Sequence, residues 1–181
     1  MLTPSQLSLW NQTSKILSGT GHRPEKLGRE YSLSGPYSQY LKSQILQAFQ
    51  VLTPKRVISG MALGFDQLLA LTALEEKIKV TAAIPCDGQE SRWPQESQDR
   101  YWSILDHPLV TVQNLSPGPY YPSKMQKRNC WMVDNSDLVL AAWDGSPGGT
   151  ANCLQYAESR EKIIWRIDPR QAIEKGKDEK G

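Results

Sequence analysis

Three short segments combine glycine with hydroxyl or charged side chains, and these residue types suit the binding of an anion. The segments are 19–24 (GTGHRP), 59–66 (SGMALGFD) and 144–150 (DGSPGGT). Glycine lets the backbone come close to a ligand, so that successive amide groups can point into one concavity. Hydroxyl groups add hydrogen-bond donors, and a guanidinium group can hold a phosphate through two of its nitrogens. The chemistry that these segments favour is therefore the recognition of a phosphate or another anion.

The first segment supplies a cation and a histidine beside its glycines. We expect ligand contacts from Gly19, Thr20, Gly21, His22 and Arg23. Arg23 is the strongest candidate, because a guanidinium beside glycine amides fits a phosphate; the alternative is an ion pair at the surface. His22 either contacts the ligand or orders the loop through hydrogen bonds, and the sequence leaves both roles open.

The second segment contains an acidic residue next to a predicted helix start. Its candidate binding residues are Ser59, Gly60, Met61, Ala62, Gly64 and Asp66. A carboxylate at this position either caps the helix or binds a ligand group such as a ribose hydroxyl. The sequence does not decide between these two roles for Asp66.

The third segment ends in Gly148, Gly149 and Thr150, directly before a predicted helix whose dipole would favour an anion.

Two further sites outside the three segments complete the set of candidate binding residues. Trp93 follows a predicted strand and would stack on a base, unless its helix packs this ring on the core. Arg128 and Asn129 either brace neighbouring loops or contact a phosphate.

No metal or cofactor is predicted from these residues. The three cysteines, Cys86, Cys130 and Cys153, are widely separated and form no CxxC pair, so neither a zinc site nor a disulfide framework is indicated. The glycine segments match neither GxxxxGK[ST] nor GxGxxG, which disfavours an ordinary P-loop NTPase or dehydrogenase. Free thiols are typical of a reducing cytoplasm.

Alternating strands and helices must position these segments. The predicted strands are 15–18, 56–59, 80–84, 110–115, 137–143 and 162–167. The predicted helices between them are 37–52, 64–77, 94–105, 123–133 and 150–160. Such alternation indicates an α/β protein with a mostly parallel sheet covered on both faces. Ligands bind such sheets at the carboxyl ends of the strands, where the three glycine segments would lie.

Composition is typical of one globular domain. The chain has 181 residues, 39% hydrophobic and 22% charged, with a net charge of +2. We expect a single domain over 1–169 and a disordered tail over 170–181, which is rich in Lys, Glu and Gly. No apolar run reaches the roughly 20 residues that span a bilayer, and no signal-peptide pattern begins the chain. These features predict a cytoplasmic protein without a membrane partner.

Five motifs resemble the SLOG superfamily, the group that includes DprA/Smf and LOG proteins, and its YpsA-like branch most closely. They occupy 19–28, 58–67, 82–94, 126–145 and 148–157, in the order of the family. The resemblance implies a Rossmann-like three-layer α/β/α sandwich that binds a nucleotide or a nucleotide-derived ligand.

The last of these motifs departs from the LOG pattern. LOG enzymes are phosphoribohydrolases with PGGxGTxxE, whereas residues 147–155 are PGGTANCLQ; the spacer and the second glycine are absent, so that Cys153 stands where that pattern has glutamate. A carboxylate can stabilise an oxocarbenium-like centre or activate water, and a thiol does not replace it easily. Asp66, Asp87, Glu90 and Asp144 are other acids near the predicted strand ends. We therefore assign no catalytic residue, and whether the chain is an enzyme stays open.

Three hypotheses of function follow. The first is a sensor or binding protein for a nucleotide-type small molecule. The second is a nucleotide-processing enzyme such as an N-glycosidic (phosphoribo)hydrolase. The third is DprA-like binding of single-stranded DNA, which needs a basic groove with stacking aromatics. The net charge is only +2, and the sequence has no cluster of Lys and Arg that would form such a groove. DNA binding is therefore the third of the three hypotheses. Self-association as a homo-oligomer is left open.

Overall fold

A computed structural model describes residues 2–172 of the chain. The strands are β1 Ile16–Gly21, β2 Arg56–Ser59, β3 Lys79–Ile84, β4 Val110–Asn114, β5 Leu138–Ala142 and β6 Ile163–Ile167. The α-helices are α1 Pro4–Asn11, α2 Pro36–Leu52, α3 Phe65–Glu75, α4 Gln95–Leu105, α5 Pro122–Asp134 and α6 Gly149–Ser159. A 3-10 helix covers Pro24–Lys26. The predicted tail lies outside the described residues from residue 173 on, and within its described part Ala172 is buried.

All strands of the six-stranded sheet run parallel, in the order β4-β3-β2-β1-β5-β6. The chain moves outward from β1 to β4 and then returns to the other side of β1 to form β5. This change of direction opens a crevice at the carboxyl ends of β1 and β5, where Rossmann-like sheets bind ligands. The predicted α/β fold with a parallel sheet between helical layers is confirmed.

Alternate residues of β5 face opposite helical layers. Leu138, Leu140 and Ala142 belong to the larger core cluster, together with residues of α2 and α3. Val139 and Ala141 belong to a second cluster, with residues of α5 and α6. Every residue of β5 is buried, as its continuous apolar run predicts for a central parallel strand.

Helix α1 was not predicted from the sequence. It begins with a capping box, in which the Thr3 side chain and the Gln6 side chain each accept a backbone amide, and Pro4 occupies its first turn. Trp10 is its one fully buried residue and donates its indole N–H to the carbonyl of Leu52 at 2.8 Å. A helix with so little buried surface lacks the hydrophobic periodicity used for prediction, but the capping-box pattern was present in the sequence.

Strand β1 is longer than predicted, because Gly19 and Gly21 continue the strand and pair with Leu140 and Ala142 of β5. Both glycines allow α3 to lie close to the sheet. A Cβ at Gly19 would be 2.0 Å from Cδ2 of Leu69, and one at Gly21 would be 2.5 Å from Cβ of Phe65. Their small size therefore serves helix packing.

Within residues 2–172, no helix has both the length and the apolar character needed to cross a bilayer.

Candidate functional site

The three predicted segments meet at a cleft of about 310 Å³ at the carboxyl ends of β1 and β5. Its walls include 11 of the residues predicted from the sequence: Thr20, Gly21, His22, Arg23, Ala62, Asp66, Arg128, Asn129, Gly148, Gly149 and Thr150. Because the segments are far apart in sequence, the parallel sheet is what brings them together.

The start of α6 offers unused hydrogen-bond donors to this cleft. Gly148 is the N-cap residue, with φ of 141°, and no side chain caps the helix. Within residues 2–172, the amides of Gly149, Thr150 and Ala151 have no hydrogen-bond acceptor. A Cβ added at Gly148 or Gly149 would meet no atom within 4 Å. Free amides and a positive dipole end at an open position are the features that bind anions.

Arg128 is a buried cation in the wall of the cleft. Its Nη1 donates to the carbonyl oxygen of Gly60 at 2.5 Å, and its Nε donates to Oδ1 of Asn129 at 3.0 Å. Its Nη2 has no partner in the part of the chain that the structure describes. Gly60 leaves room for this guanidinium, since a Cβ there would lie 2.1 Å from Nη1 of Arg128 and would displace it. Burial lowers the pKa of Arg128 from its ordinary value, and nearby Asp66 opposes this.

Asp66 braces the loop before α3. Its Oδ2 accepts the amide of Ala62 at 3.4 Å and lies 3.8 Å from Nη1 of Arg128. The side chain is only 7% exposed, and burial raises the pKa of its carboxyl despite the opposing effects of Arg128 and the Ala62 amide. Oδ1 has no hydrogen-bond partner among residues 2–172. The structure therefore leaves one carboxylate oxygen available to a ligand in the cleft.

His22 joins the end of β1 to the loop after β5. Its Nε2 lies 2.7 Å from Oδ1 of Asp144, and the same oxygen accepts the amide of Ser146 at 2.9 Å. Burial opposes ionisation of Asp144, but its hydrogen bonds with Ser146 and His22 outweigh this effect and lower its pKa. His22 thus orders the loop that leads to α6 and also lines the cleft.

Arg23 and Lys26 differ in their contacts. Lys26 donates from Nζ to Oγ of Ser146 at 2.5 Å and to the carbonyl of Pro147 at 3.2 Å, which ties the 3-10 helix to the same loop. Arg23 is exposed and has no hydrogen-bond or ion-pair partner within residues 2–172. The surface ion pair that was the alternative role for Arg23 does not form there.

Five lining residues were not predicted from the sequence: Glu25, Lys26, Met125, Ser146 and Pro147. They adjoin predicted positions in the chain. The 3-10 helix turns Glu25 and Lys26 back toward the cleft, and this turn has no periodic signal in the sequence.

Six predicted residues do not line this cleft: Gly19, Ser59, Gly60, Met61, Gly64 and Trp93. Ser59 is fully buried, where its hydroxyl donates to the carbonyl of Asp66 at 2.7 Å and accepts the amide of Met61 at 3.1 Å. Gly64 has φ of 86°, and a Cβ there would lie 2.7 Å from the carbonyl oxygen of His22. Ser59 and Gly64 thus shape the loop that carries Ala62 and Asp66.

Trp93 lines a neighbouring cavity of about 520 Å³, together with Tyr120 and Arg92. This cavity shares Arg23, Ala62 and Met125 with the cleft. The two spaces are therefore adjacent, and Arg23 belongs to both.

Cys153 lies beneath the cleft and not in its lining. It is 2% exposed, and burial raises the pKa of its thiol to about 11, although a hydrogen bond with Thr20 opposes this. A thiol in this state is a poor nucleophile at neutral pH. The described residues contain no group of three or more His, Cys, Asp and Glu side chains that could hold a metal ion.

Comparison with known proteins agrees with the motifs. The family model described as the YspA SLOG family (YpsA) matches residues 17–171. An uncharacterized SPbeta prophage-derived protein, YoqJ of Bacillus subtilis, is 33% identical over 158 residues, which covers 76% of this chain and 92% of YoqJ. A UPF0398 protein of Bacillus velezensis is 26% identical over 158 residues, with 82% and 86% covered respectively.

Two solved structures of DNA processing protein A (DprA) share the fold. The Streptococcus pneumoniae protein gives a TM-score of 0.63 at 16% identity, covering 91% of this chain and 52% of that protein. The second structure is that of the Helicobacter pylori protein and concerns its single-stranded DNA binding mode. It gives a TM-score of 0.61 at 18% identity, covering 96% of this chain and 76% of that protein. At these identities the likeness concerns the fold alone.

Proposed function

The chain belongs to the YspA SLOG family, and from that premise we propose that it binds a nucleotide or nucleotide-derived ligand, as a sensor or binding protein. The observation that carries the proposal is the uncapped start of α6, whose free amides open onto a cleft walled by the buried cation Arg128. A phosphate group would accept hydrogen bonds from the backbone amides of Gly149 and Thr150, and Arg128 and Arg23 would add positive charge.

The size and chemistry of the cleft support this ligand class. A volume of about 310 Å³ is at the lower end of the range for small-molecule sites, roughly 300–1,000 Å³. It fits a phosphate together with a sugar. The free Oδ1 of Asp66 would accept a sugar hydroxyl, and the hydroxyl of Thr150 is a further donor.

A titration with nucleotides tests the proposal. We expect calorimetry to detect binding of nucleoside phosphates and weaker binding of the matching nucleosides. The variant Gly149→Asp should lose this binding by tenfold or more, because it sets a carboxylate where the phosphate is proposed. The helix itself should tolerate an acid in its first turn.

The matched control is Gln155→Glu, which makes the same charge change at an exposed position further along α6. It should bind like the wild type. Equal affinities of the wild type and Gly149→Asp would contradict a phosphate site at the start of α6.

An enzyme that cleaves an N-glycosidic bond is the second candidate, and Asp66 is the observation that favours it. A buried carboxyl with a raised pKa in a binding cleft can act as a general acid or stabilise positive charge on a sugar. Incubation with nucleotides followed by chromatography of free base tests this candidate. Base release that disappears in Asp66→Asn would support the enzyme, and binding without release would support the sensor.

DprA-like binding of single-stranded DNA is tested with the same protein. We expect weak binding of oligonucleotides, because the net charge is only +2. Tight binding that weakens steeply with salt would favour the DNA hypothesis over the nucleotide ligand.

A further inference from the structure

We propose that the ligand is a nucleoside diphosphate, or a conjugate built on one, whose base occupies the cavity beside Trp93. This inference rests on the proposed function and adds a second half to the site. We call the space lined by Trp93, Tyr120, Arg92, Arg23, Ala62 and Met125 the Trp93 cavity. The other half of the binding site is the cleft at the start of α6.

The order of groups along the combined site follows from the residues that each space shares. Trp93 lines only the Trp93 cavity, Arg23 lines both spaces, and Thr150 at the start of α6 lines only the cleft. A ligand that fills both spaces therefore passes Trp93, then Arg23, then α6. Two anion-binding features, Arg23 and the α6 amides, occur one after the other along this path.

Arg23 is suited to a phosphate at the junction. It is exposed and has no ion-pair partner within residues 2–172, although its charge acts on the nearby carboxyl of Asp66. Its backbone packs closely against the loop before α3, since a Cβ at Gly64 would lie only 3.2 Å from Cα of Arg23. An unpaired guanidinium between two cavities favours a second phosphate, beyond the one at α6.

Trp93 is suited to a base. Its ring centroid lies 5.6 Å from that of Tyr101 at an interplanar angle of 89°, so an edge contact holds it against the core. Within the described part of the chain, no other ring lies parallel to it. Its carbonyl accepts Nε2 of Gln98 at 2.9 Å, which also fixes the backbone. A ring held in this way provides a surface on which a base can stack.

The charges of the Trp93 cavity suit an anionic ligand. Its acid, Asp87, already accepts Nδ2 of Asn114 at 2.8 Å and the amide of Gly118 at 2.6 Å. Arg92 is exposed and, like Arg23, has no ion-pair partner within residues 2–172. Arg23 and Arg92 outnumber this one carboxylate, so the charged side chains that line the Trp93 cavity carry a net positive charge.

Binding of a nucleoside diphosphate and of inorganic pyrophosphate to two tryptophan variants tests the inference. Trp93→Ala should weaken binding of the nucleoside diphosphate by about tenfold or more, because it loses base stacking. It should leave binding of pyrophosphate unchanged, since pyrophosphate has no base. Trp93→Phe keeps a ring and should recover most of the affinity, which separates stacking from a loss of structure.

Trp102→Ala is the matched control. Trp102 also contacts Tyr101, at a centroid distance of 5.2 Å, but it is 50% exposed and lies outside both spaces. It should bind both probes like the wild type. If Trp93→Ala binds the nucleoside diphosphate normally while Gly149→Asp does not, the base lies elsewhere and the phosphate site stands. If the wild type binds neither probe, the proposed function fails together with this inference.

Discussion

At the residue scale, Arg128 and Asp66 depend on each other. Both are buried, their charged atoms approach to 3.8 Å, and each pKa is shifted by burial toward the neutral form. Neither charge has enough water around it to be stable alone, so each lowers the free-energy cost of burying the other. The pair also keeps one free nitrogen and one free oxygen for the cleft.

Replacement of Arg128 by methionine should therefore lower the free energy of unfolding by about 3–5 kcal/mol, because an unpaired buried carboxylate remains. The double variant Arg128→Met/Asp66→Asn should be more stable than Arg128→Met, since the stranded charge is gone. Urea denaturation of the wild type, both single variants and the double variant measures the coupling. Additive losses would show that the two groups do not interact.

Asp144 should make the stability of the protein sensitive to acid. Its pKa is lowered in the folded state, so its stabilising contribution is present above the ordinary value of 3.8 and is lost as the pH falls. Asp144→Asn should cost about 1–2 kcal/mol at pH 6, from its hydrogen bonds with His22 and Ser146. This difference from the wild type should shrink below about pH 4. Denaturation at several pH values would reveal it, and a constant difference would contradict the assignment.

At the element scale, the contact between α3 and β1 depends on glycine. Gly21→Ala would place a Cβ 2.5 Å from Cβ and Cγ of Phe65, and the Cβ of Phe65 is attached directly to the backbone of α3, so the helix itself would have to move. We expect a loss of about 1–3 kcal/mol in the free energy of unfolding. Thermal or urea denaturation measures it.

Gly149→Ala serves as the comparison, because its new Cβ meets no atom within 4 Å. Its stability should equal that of the wild type or exceed it by up to about 1 kcal/mol. Equal effects of the two substitutions would mean that α3 does not pack as closely as described.

These two glycines also show what the sequence can predict. Apolar runs such as DLVLAAW and the turns between them predicted the strands, and the parallel arrangement then predicted that the glycine segments meet at one edge. Whether a given glycine faces a ligand or a helix depends on tertiary packing: Gly21 contacts Phe65, whereas Gly149 is open. The hydrogen bond from Lys26 to Ser146 joins residues 120 apart and has no local signal in the sequence.

At the scale of the whole molecule, the proposed ligand would contact both halves of the sheet. His22 and Arg23 follow β1, whereas Gly149 and Thr150 follow β5, which the chain forms only after β2, β3 and β4. A ligand held between them stabilises the complete fold over any partly unfolded form.

Binding should therefore raise the melting temperature with the logarithm of ligand concentration. At 100 times the dissociation constant the gain is about 2.7 kcal/mol, which corresponds to roughly 5–10 °C for a domain of this size. Differential scanning fluorimetry with nucleoside diphosphates measures the shift. Gly149→Asp should show a clearly smaller shift at the same ligand concentration, because its binding is weaker by tenfold or more.

The position of β5 beside β1 has a consequence for biosynthesis. As the polypeptide leaves the ribosome, β1 is made early, but its neighbour at residues 138–142 emerges more than a hundred residues later. Until then β1 has an unpaired edge, with which strands of other chains could pair. Pairing between strands so far apart in sequence is also slow. Ligand recognition is thus acquired only after β5 and the start of α6 have been made, when β5 covers the free edge of β1.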